Sequence, residues 1–246
     1  MTPETFASEL DLAAALGRRI IEIVRRHPSV VLALPTGRTP IALYNELVRL
    51  TRLEHVDWAN VRTFNLDEFV GLGTGDAGSY RSFMHARFFD HVNLRVEHIG
   101  FLDGRVADVE RECARYERAI ADAGGIDVMI LGIGANGHVG FNEPSDALVA
   151  RTHKATLDPL TRASNTLWFG GEVDRVPREA LTMGMATILQ ARGIVLMGTG
   201  ESKAEAVHAV LSGGVTTQVP ASFLTLHPHV TMMIDEPLAE ALATLP

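Results

Sequence analysis

Asp67 and Glu68 stand side by side at the end of a strand expected at Val61 to Leu66, and His138 and Glu143 share a glycine-rich loop with Asn136. An imidazole near its own pKa can give and take a proton, and a carboxylate beside it can orient the ring or hold its charge. A carboxylate such as Asp67, kept in a water-poor pocket, can take a proton from carbon. Thr36, Gly37, Arg38 and Thr39 lie in a turn between an apolar run and a helical stretch. Such a turn attracts anions, because unpaired N–H groups and the helix dipole point into it. Lys203 closes a second turn, Gly198-Thr-Gly-Glu-Ser-Lys203. Together these groups suit a small phosphorylated substrate with acid–base chemistry at its non-phosphate end.

Taken singly, each group has a plainer use. Asp67 could be a cap, Lys203 a solvated helix residue, His138 a hydrogen-bonded structural histidine, and Thr36 to Pro40 a structural turn. Placement together is what favours function, so the elements that position them matter. The central one is Ile126 to Ile133, an apolar, β-branched run of the kind that forms a strand buried on both faces. It breaks into Gly132, Gly134, Gly137 and Gly140, which permit tight turns and close approach of a ligand. Other strands are expected at 29–34, 61–66, 99–102, 194–197 and 230–234. Helices are expected at 7–26, 41–50, 80–91, 103–123, 177–190 and 204–211, with a short one at the end. Thr39 suits the N-cap of the second helix and Pro40 its first turn. Residues 71–78 read as a mobile loop, and 145–176 as an irregular stretch long enough to be a lid.

This alternation implies one α/β domain over residues 1–246, an open, mainly parallel, Rossmann-like sheet with helices on both faces. The loops after four strands, at Thr36 to Pro40, Asp67-Glu68, Gly134 to Glu143 and Gly198 to Lys203, then share one sheet edge, where such folds place their chemistry. The glycine spacing is not that of a dinucleotide loop. His227-Pro-His229 lacks further ligands at metal spacing and reads as a loop.

Bulk properties narrow the classes. The 246 residues are 46% hydrophobic and 21% charged, with a net charge of −8. No basic surface favours nucleic acid, and no apolar stretch reaches the roughly 18 residues of a membrane span. The single cysteine, Cys113, rules out an internal disulfide framework and suits a reducing cytoplasm.

Leu34-Pro-Thr-Gly-Arg-Thr-Pro40, Phe64-Asn-Leu-Asp-Glu-Phe69, Ser79-Tyr-Arg-Ser-Phe-Met84, Leu131-Gly-Ile-Gly-Ala-Asn-Gly-His-Val-Gly-Phe-Asn-Glu-Pro144 and Leu226-His-Pro228 resemble, in one order, the glucosamine-6-phosphate deaminase (isomerase) family. The related 6-phosphogluconolactonases typically carry a Thr-Ala-Ser-Leu-Phe-Pro type run after the Gly-His. This chain has Val139-Gly-Phe-Asn-Glu-Pro144 there. The resemblance implies opening of an amino-sugar phosphate ring, proton transfer from C2 to C1, and release of ammonia to leave fructose 6-phosphate. It makes Asp67 the C2 base, His138 the ring-opening acid–base group and Glu143 its support. Thr36, Gly37, Arg38, Thr39 and Lys203 hold the phosphate. No metal or organic cofactor is implied, because the substrate nitrogen stabilises the intermediate. The implied partner is an amino-sugar phosphate, with neither nucleic acid nor membrane, and with a homo-oligomer open. Alternatives are a different amino-sugar phosphate, lactone hydrolysis, or sugar-phosphate sensing without catalysis.

Three positions depart from the family pattern. Asn136 stands where some members have Asp, so it can orient the histidine without adding charge. Leu167 stands where some members have a phosphate-binding arginine, while Arg38 occupies a position that is often glycine. Arg38 is therefore expected to supply the lost charge, since its planar fork suits phosphate oxygens. The basic residues around the lid of hexameric, allosterically activated members are only partly matched in Arg151-Thr-His-Lys-Ala155.

Overall fold

In the computed structural model, which describes residues 1–246, the chain opens with a strand that has no signal in the sequence, β1 (Glu4–Phe6). Helix α1 (Glu9–Arg26) starts where the Ser8 hydroxyl accepts the Asp11 N–H at 3.2 Å. Acidic Glu9 and Asp11 in its first turn and Arg25 and Arg26 in its last suit the helix dipole. Its buried face repeats at helical spacing through Leu12, Leu16, Ile20 and Val24. There follow β2 (Val31–Leu34), α2 (Ile41–Glu54), β3 (Arg62–Asn65), β4 (Asp67–Phe69), α3 (Tyr80–Arg87), β5 (Ile99–Gly100), α4 (Val109–Asp122) and β6 (Val128–Gly132). The second half holds β7 (His153–Thr156), α5 (Pro159–Asn165), β8 (Glu179–Thr182), α6 (Met185–Leu189), β9 (Gly193–Gly198), α7 (Ala204–Leu211), β10 (Val230–Asp235) and α8 (Glu236–Ala243).

Seven strands form one sheet in the order β1-β10-β9-β6-β2-β3-β5, with every pairing parallel. Successive side chains of a strand face opposite sides. Leu32 and Leu34 enter a core shared with α1 and α2, while Val31 and Ala33 enter a second core shared with α4, α6 and α7. The expected parallel sheet covered on both faces is therefore present. From β2 the chain builds outward through β3 and β5, then returns to β6 on the other side of β2 and builds out through β9 and β10. The loops after β2 and β6 thus diverge, and open α/β sheets bind ligands in the crevice such a reversal leaves.

A second sheet, antiparallel in the order β4-β8-β7, departs from the sequence reading. Residues 179–182, expected within a helix, are strand β8, and only Met185–Leu189 is helical. The 145–176 stretch is not wholly irregular, since it carries β7, α5 and short 3-10 turns at Thr166–Phe169 and Val173–Arg175. Pairing across β4, β8 and β7 overrides the local helix preference of Glu179-Ala-Leu. Pro40 rather than Thr39 is the N-cap of α2, and no side chain caps it. No helix is long and apolar enough to cross a membrane.

Glu68 of β4 is fully buried. Its Oε1 accepts the N–H groups of Phe69 at 2.9 Å and Tyr80 at 3.0 Å. Its Oε2 accepts the Ser79 hydroxyl at 2.8 Å and the Arg81 N–H at 3.0 Å. One carboxylate thereby satisfies the orphan donors at the start of α3 and fixes that helix to β4. Glu68→Ala strands those donors away from water and should lower the unfolding free energy by about 2–4 kcal/mol in urea titrations. A loss below about 1 kcal/mol would mean that water replaces the carboxylate.

Candidate active site

A cavity of about 590 Å³ opens at the divergence of the β2 and β6 loops. Thr36, Gly37, Arg38 and Thr39 line it, as do Asp67, Asn136, His138 and Lys203. All four strand-end loops singled out in the sequence therefore reach one space.

Asp67 begins β4, where it pairs with Thr182 of β8. It is 5% exposed, and its single side-chain hydrogen bond is a long one, from the Thr36 hydroxyl to Oδ1 at 3.4 Å. Burial, and then the adjacent Glu68 charge, push its pKa up to about 8, and the Thr36 hydroxyl opposes them only in part. The glycine loop passes directly over it. A side chain at Gly140, whose φ is +56°, would start 2.9 Å from the Thr182 hydroxyl and 3.6 Å from Asp67 Oδ2.

The His138 ring packs flat against Gly134, so that a Cβ there would overlap the imidazole. This close approach is the physical use of that glycine. His138 Nδ1 lies 3.2 Å from Glu143 Oε2, and Nε2 has no hydrogen-bond partner in the chain. Burial pushes the Glu143 carboxyl up, but bonds from His138, Thr161 and Asn136 outweigh it, and the group rests below the usual carboxylate range. A charged Glu143 accepts from Nδ1–H and leaves Nε2 free to exchange a proton. Asn136 acts one step away from the ring. Its Nδ2 donates to Glu143 Oε2 at 2.9 Å, and its Oδ1 accepts the His138 backbone N–H at 3.2 Å.

At the other end of the cavity, Lys203 is half-buried without an acidic partner, and burial lowers its pKa. Arg38 is exposed on the β2–α2 loop and forms neither an ion pair nor a hydrogen bond through its side chain. Arginines elsewhere are divided, some paired with a carboxylate, such as Arg115 with Glu112 and Arg192 with Asp127, and some, such as Arg52 and Arg62, unpaired. Leu167 is 68% exposed and lines the same cavity. The cations of the 151–155 stretch are engaged elsewhere, Arg151 with Glu117 and Lys154 with Glu179. His227 Nε2 bonds the Ala191 carbonyl at 2.8 Å, which agrees with reading it as a loop residue.

The sequence reading missed Tyr80, Thr161 and Asn165, all of which line the cavity. Tyr80 belonged to a matching segment but carried no assigned role, and Thr161 and Asn165 sit in the stretch read as irregular.

Residues 3–233 match the family model described as glucosamine-6-phosphate isomerases/6-phosphogluconolactonase. The chain belongs to that family. It is 43% identical over 228 residues to a glucosamine-6-phosphate deaminase of Thermoanaerobacter pseudethanolicus, covering 91% of this chain and 90% of the relative. It is 46% identical over 220 residues to one from Bacillus velezensis, covering 89% and 91%. A solved monomeric glucosamine-6-phosphate deaminase superposes with a TM-score of 0.95 at 40% identity, over 98% of this chain and all of that one. The 6-phosphogluconolactonase of Trypanosoma brucei shares the fold, with a TM-score of 0.74 at 22% identity over 98% and 99% of the two chains. Within this family the fold alone therefore does not separate the two activities, and the groups in the cavity must.

Asp67 gives the site a signature in stability. The unfolded chain releases this proton near the ordinary aspartate value of 3.8, whereas the folded chain holds it to about 8. Native stability should therefore fall between these two pH values, as the unfolded state alone loses the proton. Asp67→Asn should remove that part of the decline and exceed the parent by roughly 2–5 kcal/mol at pH 9. Parallel stability curves for the two proteins from pH 4 to 9 would contradict the raised pKa.

Proposed function

We propose that this chain is a glucosamine-6-phosphate deaminase, converting glucosamine 6-phosphate and water to fructose 6-phosphate and ammonia. The observation that carries the reading is a nearly bare buried carboxylate facing the same cavity as a carboxylate-backed imidazole. Lactone hydrolysis takes no proton from C2, so a lactonase would have little use for a C2 base. The identity of 40–46% to deaminases over most of the chain supports the same choice.

In this reading the sugar enters with its phosphate toward Thr36, Gly37, Arg38, Thr39 and Lys203. His138 Nε2 moves a proton between the C1 hydroxyl and the ring oxygen, which opens the ring to the aldehyde. Nδ1–H stays with Glu143 and disperses the positive charge of the imidazolium. Asp67 then takes the proton from C2 as the C2–H pair forms the C1–C2 double bond and the C1 carbonyl pair moves to O1, which takes a proton. Once the ammonium has shed its proton this is an enolamine, and protonation at C1 turns it into the C2 imine. The resulting C2 imine adds water and expels ammonia. Taking a proton from carbon demands a strong base, and the desolvation that raises Asp67 supplies it. The protonated amine at C2 favours the anionic form of Asp67 once substrate is bound. The C1 carbonyl is the electron sink for loss of the C2 proton, and the freed nitrogen lone pair then drives protonation at C1.

The 145–176 stretch serves as the lid. Exposed Leu160 and Leu167 on it line the cavity mouth, where closing would exclude water. The monomeric state of the solved deaminase with a TM-score of 0.95 supports a monomer, and free, buried Cys113 suits the cytoplasm.

Ammonia release is the direct test, using glucosamine 6-phosphate, galactosamine 6-phosphate and 6-phosphogluconolactone in parallel. Turnover of the glucosamine compound above the others is expected. Lactone hydrolysis without ammonia release would reverse the reading. Arg38→Ala should raise KM for the phosphorylated sugar by about 10-fold or more while leaving that for glucosamine within two-fold. Equal effects on both sugars would leave the phosphate to Lys203 and the loop N–H groups.

A further inference from the structure

Helix α5 carries three hydroxyl side chains at or near its length, and they do not behave alike. The Ser164 hydroxyl donates back to the Thr161 carbonyl at 2.9 Å, and that of Thr166 donates to the Ala163 carbonyl at 2.9 Å. Back-bonding along the chain is the common habit of such residues in helices. The Thr161 hydroxyl instead leaves the helix and lies 3.3 Å from His138 Nδ1. Thr161 is 3% exposed, so the contact sits at the inner wall of the cavity, largely shielded from bulk solvent.

The same helix reaches the other member of the pair. Asp158, the N-cap of α5, gives its backbone N–H to Glu143 Oε1 at 3.3 Å. One turn beyond Thr161, Asn165 ties the helix down. Its Nδ2 donates to the Thr161 carbonyl at 2.9 Å, and its Oδ1 accepts the Tyr80 hydroxyl at 2.9 Å. The seat of α5 on the sheet edge is thus set by the residues that touch the cavity.

We propose that Thr161 is a positioning residue through which the lid helix completes the ring-opening pair: its hydroxyl, beside Glu143, holds His138 with Nδ1 protonated and Nε2 free for the sugar. The proposal rests on the deaminase reading for what His138 does, but not for where its proton sits. A neutral imidazole carries its proton on one nitrogen or the other, and its partner at Nδ1 decides which. Two acceptors at Nδ1, one from the glycine loop and one from α5, fix both the tautomer and the tilt of the ring. Were α5 to lift, one of the two would go, and His138 would lose its preparation for proton exchange. The lid would then gate chemistry as well as access.

Thr161→Val keeps the shape and removes the hydroxyl, and Thr161→Ser keeps the hydroxyl. With glucosamine 6-phosphate, Thr161→Val should lower kcat by roughly 10- to 100-fold with KM changed less than three-fold. Thr161→Ser should retain at least half of the parent kcat. Thr166→Ala, which removes a back-bonded hydroxyl at the end of the same helix, should match the parent. Nitrogen-15 NMR of the ligand-free proteins reads the ring without substrate. The parent should show the Nδ1–H tautomer of His138, and Thr161→Val a mixture of the two. A Thr161→Val kcat within two-fold of the parent, with the tautomer unmixed, would overturn the proposal. So would a fall in kcat that serine does not restore. If the parent releases no ammonia, the deaminase reading fails on its own, and the tautomer comparison still decides the role of Thr161.

Discussion

Two adjacent carboxylates at the start of β4 are buried together and treated in opposite ways. Strand alternation sends neighbouring side chains to opposite sides. Glu68 meets four donors around the start of α3, whereas Asp67 meets one long hydroxyl contact. Burial raises both pKa values, and the donors at Glu68 oppose that rise. Keeping a poorly solvated carboxylate such as Asp67 in place costs stability, so its surroundings must be strong. Glu68, the β4–β8 pairing and the two flanking cores provide that strength. The structural carboxylate thus holds the strand on which the proposed base sits.

The same division runs through the rest of the site. The β2–β6 divergence opens the crevice, and the glycine loop lets His138 lie against backbone. The loop is also pinned to the second sheet, since the Phe141 N–H donates to the Thr182 hydroxyl at 3.0 Å and Asn142 Nδ2 to the Met183 carbonyl at 2.8 Å. Strand β8 therefore touches both Asp67, by pairing, and the loop of His138, by hydrogen bonds. In the proposed mechanism proton abstraction and ring opening need a fixed mutual geometry, and one short strand registers the groups assigned to them.

The parallel sheet and the strand-end loops were legible because their signals are strong. Buried strands read as continuous apolar runs, and glycines cluster where backbone must turn. Asp67, His138, Glu143 and Lys203 were found from their positions at strand ends, and they do line or adjoin one cavity. The antiparallel sheet was not legible. Its strands are three or four residues long, with polar residues at 153, 154 and 179, and no alternation survives at that length. Strand β1 failed for the same reason, since its three residues gain strand structure only by pairing with β10. Thr161 carried no signal, because a threonine in a helix looks alike whether it bonds back or reaches a histidine. Asn136 was expected to orient the ring and instead bonds Glu143, a difference that only side-chain geometry can reveal.

The central claim is that Asp67 removes the C2 hydrogen. Glucosamine 6-phosphate labelled with deuterium at C2 tests it, with loss of label to solvent and transfer to C1 followed by NMR in the parent and in Asp67→Asn. The account predicts that the parent removes the C2 label in step with ammonia release, whereas Asp67→Asn binds the sugar and leaves the label at C2. Removal of the label by Asp67→Asn at a rate near that of the parent would contradict it.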